Sequence, residues 1–215
     1  VARLADIGVK PFLIATAAHA EESLPSLKPL MLIPDKEVPK EDFSTAGPIS
    51  KEQWQARQGT QWSIEDGVLR GKPSSAEYQA AKTDHAGQEP RIAAPVTPKE
   101  CIARFSVKFS GGAETNLVPL VEFGRHVCRL RFNSDITELL AAHDSLRVNE
   151  AKGFQYKPDT WYHLLWELRG DEVVIQIAGG PTLYAKHASY AEEVTSGAAG
   201  LGIAGPRGGQ VEVDN

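Results

Sequence analysis

The residues most able to do chemistry lie between positions 100 and 170. Glu122 stands in an apolar stretch, Leu120-Val-Glu-Phe123, and Arg129 and Arg131 alternate with apolar residues just beyond it. Arg104 and Lys108 alternate in the same way within Cys101–Phe109. A carboxylate among such cations stays ionised, because nearby positive charge favours the charged form. It can then take a proton or accept hydrogen bonds from hydroxyls, while an arginine can engage two oxygens at once. The same residues would also suit a solvated sheet face with ordinary cross-strand ion pairs. Trp161 and Trp54 are candidate platforms for a sugar ring, whereas Trp62 and Trp166 fall on apolar faces and read as packing.

Other groups offer less. Cys101 and Cys128 both point to the apolar side of their strands and bridge only if those strands are neighbours. His126, His143, His163 and His187 have no metal-ligand spacing. Glu212 and Asp214 share a face and could contribute to a calcium site, but two carboxylates do not make one. Gly202–Gly209 is rich in glycine, yet no Lys-Ser/Thr follows, so it reads as a structural turn. No metal and no cofactor are expected. The net charge is −5 with no basic block, which points away from nucleic acid. No apolar run of about 18 residues occurs, so no membrane insertion is expected.

The elements that must position these residues are strands. Cys101–Phe109 alternates with period two and ends at Gly111-Gly112. Asp66-Gly67 marks a hairpin between Gln61 and Gly71. Gly124-Arg125, read as a two-residue turn, pairs Phe123 with His126 and Val121 with Cys128. That register puts Val121, Phe123, His126, Cys128, Leu130 and Phe132 on the core side, and Glu122, Val127, Arg129 and Arg131 outside. Trp161–Leu168 and Val173–Ile177 form a further hairpin, and Gly197–Ile203 and Gln210–Asp214 read as closing strands. Helical periodicity appears only near Ile136–Ala142, and residues 73–98 read as a long loop. Many short strands with regular turns predict an all-β, two-sheet antiparallel sandwich. Arg104, Lys108, Glu122, Arg129 and Arg131 are expected together on one outward face.

At the N-terminus, Arg3 and Lys10 precede the apolar run Pro11–Ala18, and Ala18-His19-Ala20 fits a small-x-small cleavage site. Residues 1–28 are therefore expected to be a signal remnant and linker, with one domain over 29–215 and an exported location.

Three segments carry a family resemblance. They are Trp54 with Gly59–Gly71, Trp161–Asp171, and the closing Gly200–Asn215. Together they resemble the 3-keto-disaccharide hydrolase domain, a concanavalin A-like jelly roll related to laminarinase-type glycosidases. The resemblance spans about residues 40 to 215 and implies a further strand beyond Asn215. It implies a carbohydrate partner and action on glycosides. The chain departs from the related glucanases in having no Glu-x-Asp-x-Glu run, and glycosidases normally use two carboxyls about 5–9 Å apart. Oxidation at the third carbon of a sugar acidifies the neighbouring proton, so a base and a cation suffice to eliminate the glycosidic group. On that reading Glu122 or His163 is the base and Arg129 or Arg131 stabilises the enolate. Arg104, Lys108, Arg131 and Trp161 would bind the sugar. The rival reading is a non-catalytic carbohydrate-binding or surface-interaction module. Should the sheet face fail, Asp84 and His85 in the 73–98 loop are the next place to look.

Overall fold

A computed structural model describes residues 26–34, 43–94, 100–112, 119–142, 144–192 and 200–214. The signal-like stretch to Ala20, the start of the strand expected from Asn116, and His143 lie outside the described residues. The described elements are β1 (Gly47–Pro48), β2 (Gln55–Ala56), β3 (Gln61–Glu65), β4 (Val68–Lys72), α1 (Ala76–Ala80), β5 (Arg91–Ala93), β6 (Glu100–Gly111), β7 (Leu120–Phe123) and β8 (Cys128–Phe132). They continue with β9 (Ile136–Ala141), β10 (Leu146–Lys152), β11 (Trp161–Arg169), β12 (Glu172–Ile177), β13 (Thr182–Lys186), a short 3-10 turn over Ala188–Ala191, β14 (Leu201–Ala204) and β15 (Gly209–Asp214).

The strands form two antiparallel sheets. The back sheet has eight strands in the order β1-β3-β4-β15-β6-β11-β12-β13, and the front sheet has seven in the order β10-β9-β8-β7-β14-β5-β2. This is the expected all-β sandwich. Alternate side chains of both sheets meet in one core: Phe105, Val107 and Phe109 of β6 and Leu164 and Trp166 of β11 pack with Val121 and Phe123 of β7 and Cys128, Leu130 and Phe132 of β8. Tilted ring pairs add directional contacts, with Phe123 and Trp166 centroids 5.1 Å apart. Trp62 is buried as expected, and Trp54 packs against the same core instead of standing free.

Three details differ from the sequence reading. The β7–β8 connection holds four residues, Gly124–Val127, so Phe123 pairs with Cys128 and Glu122 with Arg129. The shift from the expected register is two residues, which preserves every strand face. Inside the turn the parity fails: Arg125 and His126 both adopt positive φ, and Val127 enters the core while His126 turns outward. Ile136–Ala141 is strand β9, not helix. It is bonded on both sides within a sheet and buried on both faces, and tertiary packing overrides its mixed pattern. The 73–98 segment contains the short α1, capped by Ser75, and strand β5. The Asp66-Gly67 turn is as expected, with φ of 55° and 75°, the backbone of a two-residue hairpin.

Residues 26–34 lie as an extended strap across the outer face of the back sheet. Glu167, on β11, points outward and is fully buried beneath it. Its two oxygens accept from the backbone N–H groups of Leu30 (2.7 Å), Met31 (2.8 Å) and Leu32 (2.7 Å). Arg104 donates to the Leu27 carbonyl at 2.6 Å, Gln176 to the Lys28 carbonyl at 2.7 Å, and Arg169 to the Met31 carbonyl at 3.3 Å. A buried carboxylate needs such partners, since an unpaired one would be strongly disfavoured. The cover explains why Leu165 and Val174, which also face outward, are buried, and why β11 reads as nearly continuous apolar sequence.

Cys101 and Cys128 sit on β6 and β8 in different sheets, and both are free thiols. Thiol titration of the unfolded protein without reductant should therefore count both cysteines as reactive. Glu167→Ala should release the strap. Amide exchange at Leu30, Met31 and Leu32 should accelerate and the domain should lose roughly 2 kcal/mol or more, given the usual worth of hydrogen bonds to charged groups. Exchange as slow as in the wild type would mean that other contacts hold the strap.

Candidate functional site

The outer face of the front sheet carries two cross-strand rows of side chains. One runs Gln55, Ala93, Gly202, Glu122, Arg129, Leu140 and Arg147; the other runs Arg91, Ala204, Leu120, Arg131, Glu138 and Glu150. Arg57 follows β2 and joins the second row through its N–H to the Arg91 carbonyl, 2.9 Å. The rows are regular because each is set by backbone pairing, not by the charged groups themselves.

Two carboxylates on this face have different fates. Glu138 is 2% exposed in its side chain and saturated. Arg131 Nε (2.8 Å), Asn133 Nδ2 (2.6 Å) and Arg147 Nε (2.7 Å) all donate to it. Burial would raise its pKa, but the bonds from Arg131 and Asn133 hold it below the usual carboxylate range. It is a structural clamp joining β8, β9 and β10.

Glu122 is the candidate centre of this face. It leans across β14, where a Cβ on Gly202 would come within 2.8 Å of its Cγ, so a side chain there would have to push Glu122 aside. Its Oε2 accepts from the His126 backbone N–H at 3.0 Å, and the His126 ring Nδ1 stands 2.9 Å from the same oxygen, off the ideal hydrogen-bond line. The β7–β8 turn thus folds back onto the strand residue it follows. Burial raises the Glu122 pKa, but His126 and Arg91 outweigh it and leave the carboxyl below its ordinary range. Arg129 donates to the Ala142 carbonyl (3.1 Å) and to Ser145 Oγ (2.8 Å), while its buried Nε has no hydrogen-bond partner. Carboxylate, imidazole and guanidinium groups therefore converge on one side of the sheet.

The expected patch is divided between the two faces of the molecule. Glu122, Arg129 and Arg131 lie on the front sheet, whereas Arg104, Lys108, His163 and Trp161 belong to β6 and β11 of the back sheet. The reason is that β6 pairs with β11 and β15, not with β7. Alternation had correctly turned each residue outward, but the sandwich has two outsides. On the back sheet Lys108 pairs with Glu212 and stands 5.0 Å from the Trp161 ring centroid. His163 Nδ1 lies 2.8 Å from Ser106 Oγ, and Arg104 is engaged by the strap. His163 is thus too far round the sandwich to share a site with Glu122. Glu212 is held by Lys108 and Arg70, which uses the acceptor that a calcium reading would need. Asp84 and His85 pair with each other at 3.2 Å on an exposed loop.

Arg57, Arg91 and Glu138 were not singled out by sequence, Arg125 was read only as a turn residue, and His126 was placed on the core side. Arg91-Ile-Ala alternates, a weak signal for a short strand. Nothing local shows that Arg57 and Arg91 come to face Glu122.

No family profile and no curated protein matches the chain. Solved structures do resemble it. The non-specific endo-β-1,3(4)-glucanase SCLam of family GH16 superposes with a TM-score of 0.58 at 13% identity, covering 89% of this chain and 93% of that one. The carbohydrate-binding module CBM66 from Bacillus subtilis gives a TM-score of 0.51 at 11% identity over 79% of this chain and 100% of that one. A protein of unknown function with a galectin-like fold from Bacillus subtilis gives 0.50 at 13% identity over 75% and 86%. The class so defined is the concanavalin A-like jelly-roll sandwich, a fold that hosts both catalytic and binding proteins.

Because the folded-state pKa of Glu122 is depressed, its interactions stabilise the domain above the unfolded carboxyl value. That stability is lost as pH falls through the folded value. Glu122→Gln should lower the melting temperature at neutral pH and flatten part of the acid limb of the stability–pH curve, so that variant and wild type converge at low pH. An unchanged acid limb would show that Glu122 is not held ionised.

Proposed function

We propose that this is an exported carbohydrate-active domain that takes its saccharide on the outer face of the front sheet, around Glu122 and Arg129. The observation carrying this reading is the convergence of Glu122, His126 and Arg129 on one face, with directional donors and acceptors suited to hydroxyl groups. The other outer face is less suited, since the strap covers its centre. The likeness to a carbohydrate-binding module and a glucanase supports the same class of ligand.

Binding without hydrolysis by a carboxyl pair fits the site best. Glu138, the second buried carboxylate of the face, is tied to three donors and is not free to serve as acid or nucleophile. A catalytic reading is favoured by one arrangement, the Glu122–His126 pair beside Arg129. For a 3-keto glycoside, the substrate class of the family the sequence resembles, the pair would take the proton from the second carbon. Arg129 would stabilise the enolate oxygen. The bond from the first carbon to the glycosidic oxygen would then break, and the leaving oxygen would take up a proton.

A panel of disaccharides, oxidised at the third carbon and unoxidised, separates these readings. Calorimetric binding without product means a binding module, and product from the oxidised sugars alone means the elimination. In either case Arg129→Ala should weaken binding or turnover roughly ten- to hundred-fold, the worth of one charge-assisted hydrogen bond. A folded Arg129→Ala protein that handles every sugar as the wild type does would remove this face from consideration.

A further inference from the structure

The strap on the back sheet is held by its backbone and carries apolar side chains. Glu167, Arg104, Gln176 and Arg169 all bond to its N–H and carbonyl groups. Recognition of backbone alone puts little demand on residue type, so a segment held this way on a solvated face is free to be polar. Instead Leu27, Leu30, Met31, Leu32 and Ile33 stand along it, with Pro29 and Pro34. None of residues 26–34 is buried. Leu30 is 65% exposed and Ile33 92%.

The surroundings of the strap follow from strand pairing. Outward rows on the back sheet run Arg104, Leu165 and Gln176; then Glu167, Val174 and Tyr184; then Glu100, Arg169, Glu172 and Lys186. The strap follows β11 across these rows, from Leu27 at Arg104 to Met31 at Arg169. Tyr184, on β13, is 48% exposed. Among the described residues the exposed large apolar side chains are Leu30, Ile33, Tyr184 and Leu146, and the first three stand on this one face. Leu146 belongs to β10 of the other sheet. Scattered singly such residues need no explanation, but gathered on one face they mark a surface that a partner covers.

We propose that the partner is a second copy of this chain, docked back sheet to back sheet about a two-fold axis that runs along the strands between β11 and β12. The last of the three rows carries the choice of partner. Glu100, Arg169, Glu172 and Lys186 alternate in sign across four adjacent strands. The axis reverses this row against its copy, so that Glu100 faces Lys186 and Arg169 faces Glu172. An alternating row of even length is its own complement under a two-fold rotation. The charges keep their partners within the chain, Arg169 with Glu172 at 2.9 Å and Lys186 with Asp171 at 3.4 Å. The row has only to meet its copy without repulsion, in a protein of net charge −5. The same axis sets the apolar strap of one copy level with that of the other. Four strands about 4.8 Å apart and an extended strap make a face on the order of 500 Å², the size of a weak, concentration-dependent contact. The front-sheet face around Glu122 stays outside it.

The test is sedimentation velocity of the full chain over roughly 1 to 200 μM, with monomer expected at the low end and dimer at the high end. Leu30→Asp and Ile33→Asp should each weaken the dimer at least about tenfold with wild-type melting, because both side chains are exposed in the monomer. Leu146→Asp should leave it unchanged. Lys186→Glu should weaken it, and Glu100→Lys added to Lys186→Glu should restore it. Within one chain Glu100 and Lys186 are three strands apart, so that rescue reads contact between chains. Flotation with phosphatidylcholine vesicles, with and without phosphatidylserine, should leave the protein unbound. A monomer throughout, a dimer indifferent to both strap variants, a double variant no tighter than Lys186→Glu, or vesicle binding that depends on Ile33 would overturn the proposal.

Discussion

The strict alternation of side chains along paired strands is the constraint on which this molecule depends. Each strand that buries Phe105, Val121 or Leu130 must present Arg104, Glu122 or Arg129 to the outside. The core cannot be closed without raising two charged outer faces. Because the β7–β8 register is set by burial of Val121, Phe123, Cys128 and Leu130, a change in turn length of two residues keeps Glu122 on the outer face, whereas a change of one would set it opposite a core residue.

Three outward-facing carboxylates show how the fold manages the charge so raised. Glu167 is covered by the strap and satisfied by backbone N–H groups. Glu138 is satisfied by arginines of the two adjoining strands and an asparagine of the β8–β9 turn. Glu122 is met by a histidine from the turn that follows it and by more distant arginines. The first two are closed arrangements in which every donor is a fixed part of the framework. The third is bonded mainly by one turn residue and lies over the glycine of a neighbouring strand. Position in the sheet, not residue type, sets how each of these carboxylates is held.

Jelly-roll sandwiches similar to this one include a glucanase and a binding module, so the architecture is neutral between them. The difference lies in whether acidic groups are left in pairs at hydrolytic spacing. Here the front-sheet partner of Glu122 along β8 is Arg129, and the carboxylate one row away is clamped.

The amino-acid sequence by itself determined the main hairpins, their faces and the sandwich class, though not β5 or β9. Period-two alternation and turn residues such as Asp66-Gly67 are local properties, written within a few residues of where they act. It also determined that Glu122, Arg129 and Arg131 share a face, because one hairpin joins them. Three things were decided by tertiary structure alone. One was which of two outer faces Arg104 and Lys108 occupy, since the partners of β6 come from strands more than fifty residues later. Another was the pairing of Glu167 with a strap about 135 residues earlier in the chain. The last was the gathering of Arg57 and Arg91 toward Glu122 across β14. Side-chain alternation tells a residue which way to point, but only the order of strands in the sheets tells it what it will meet there.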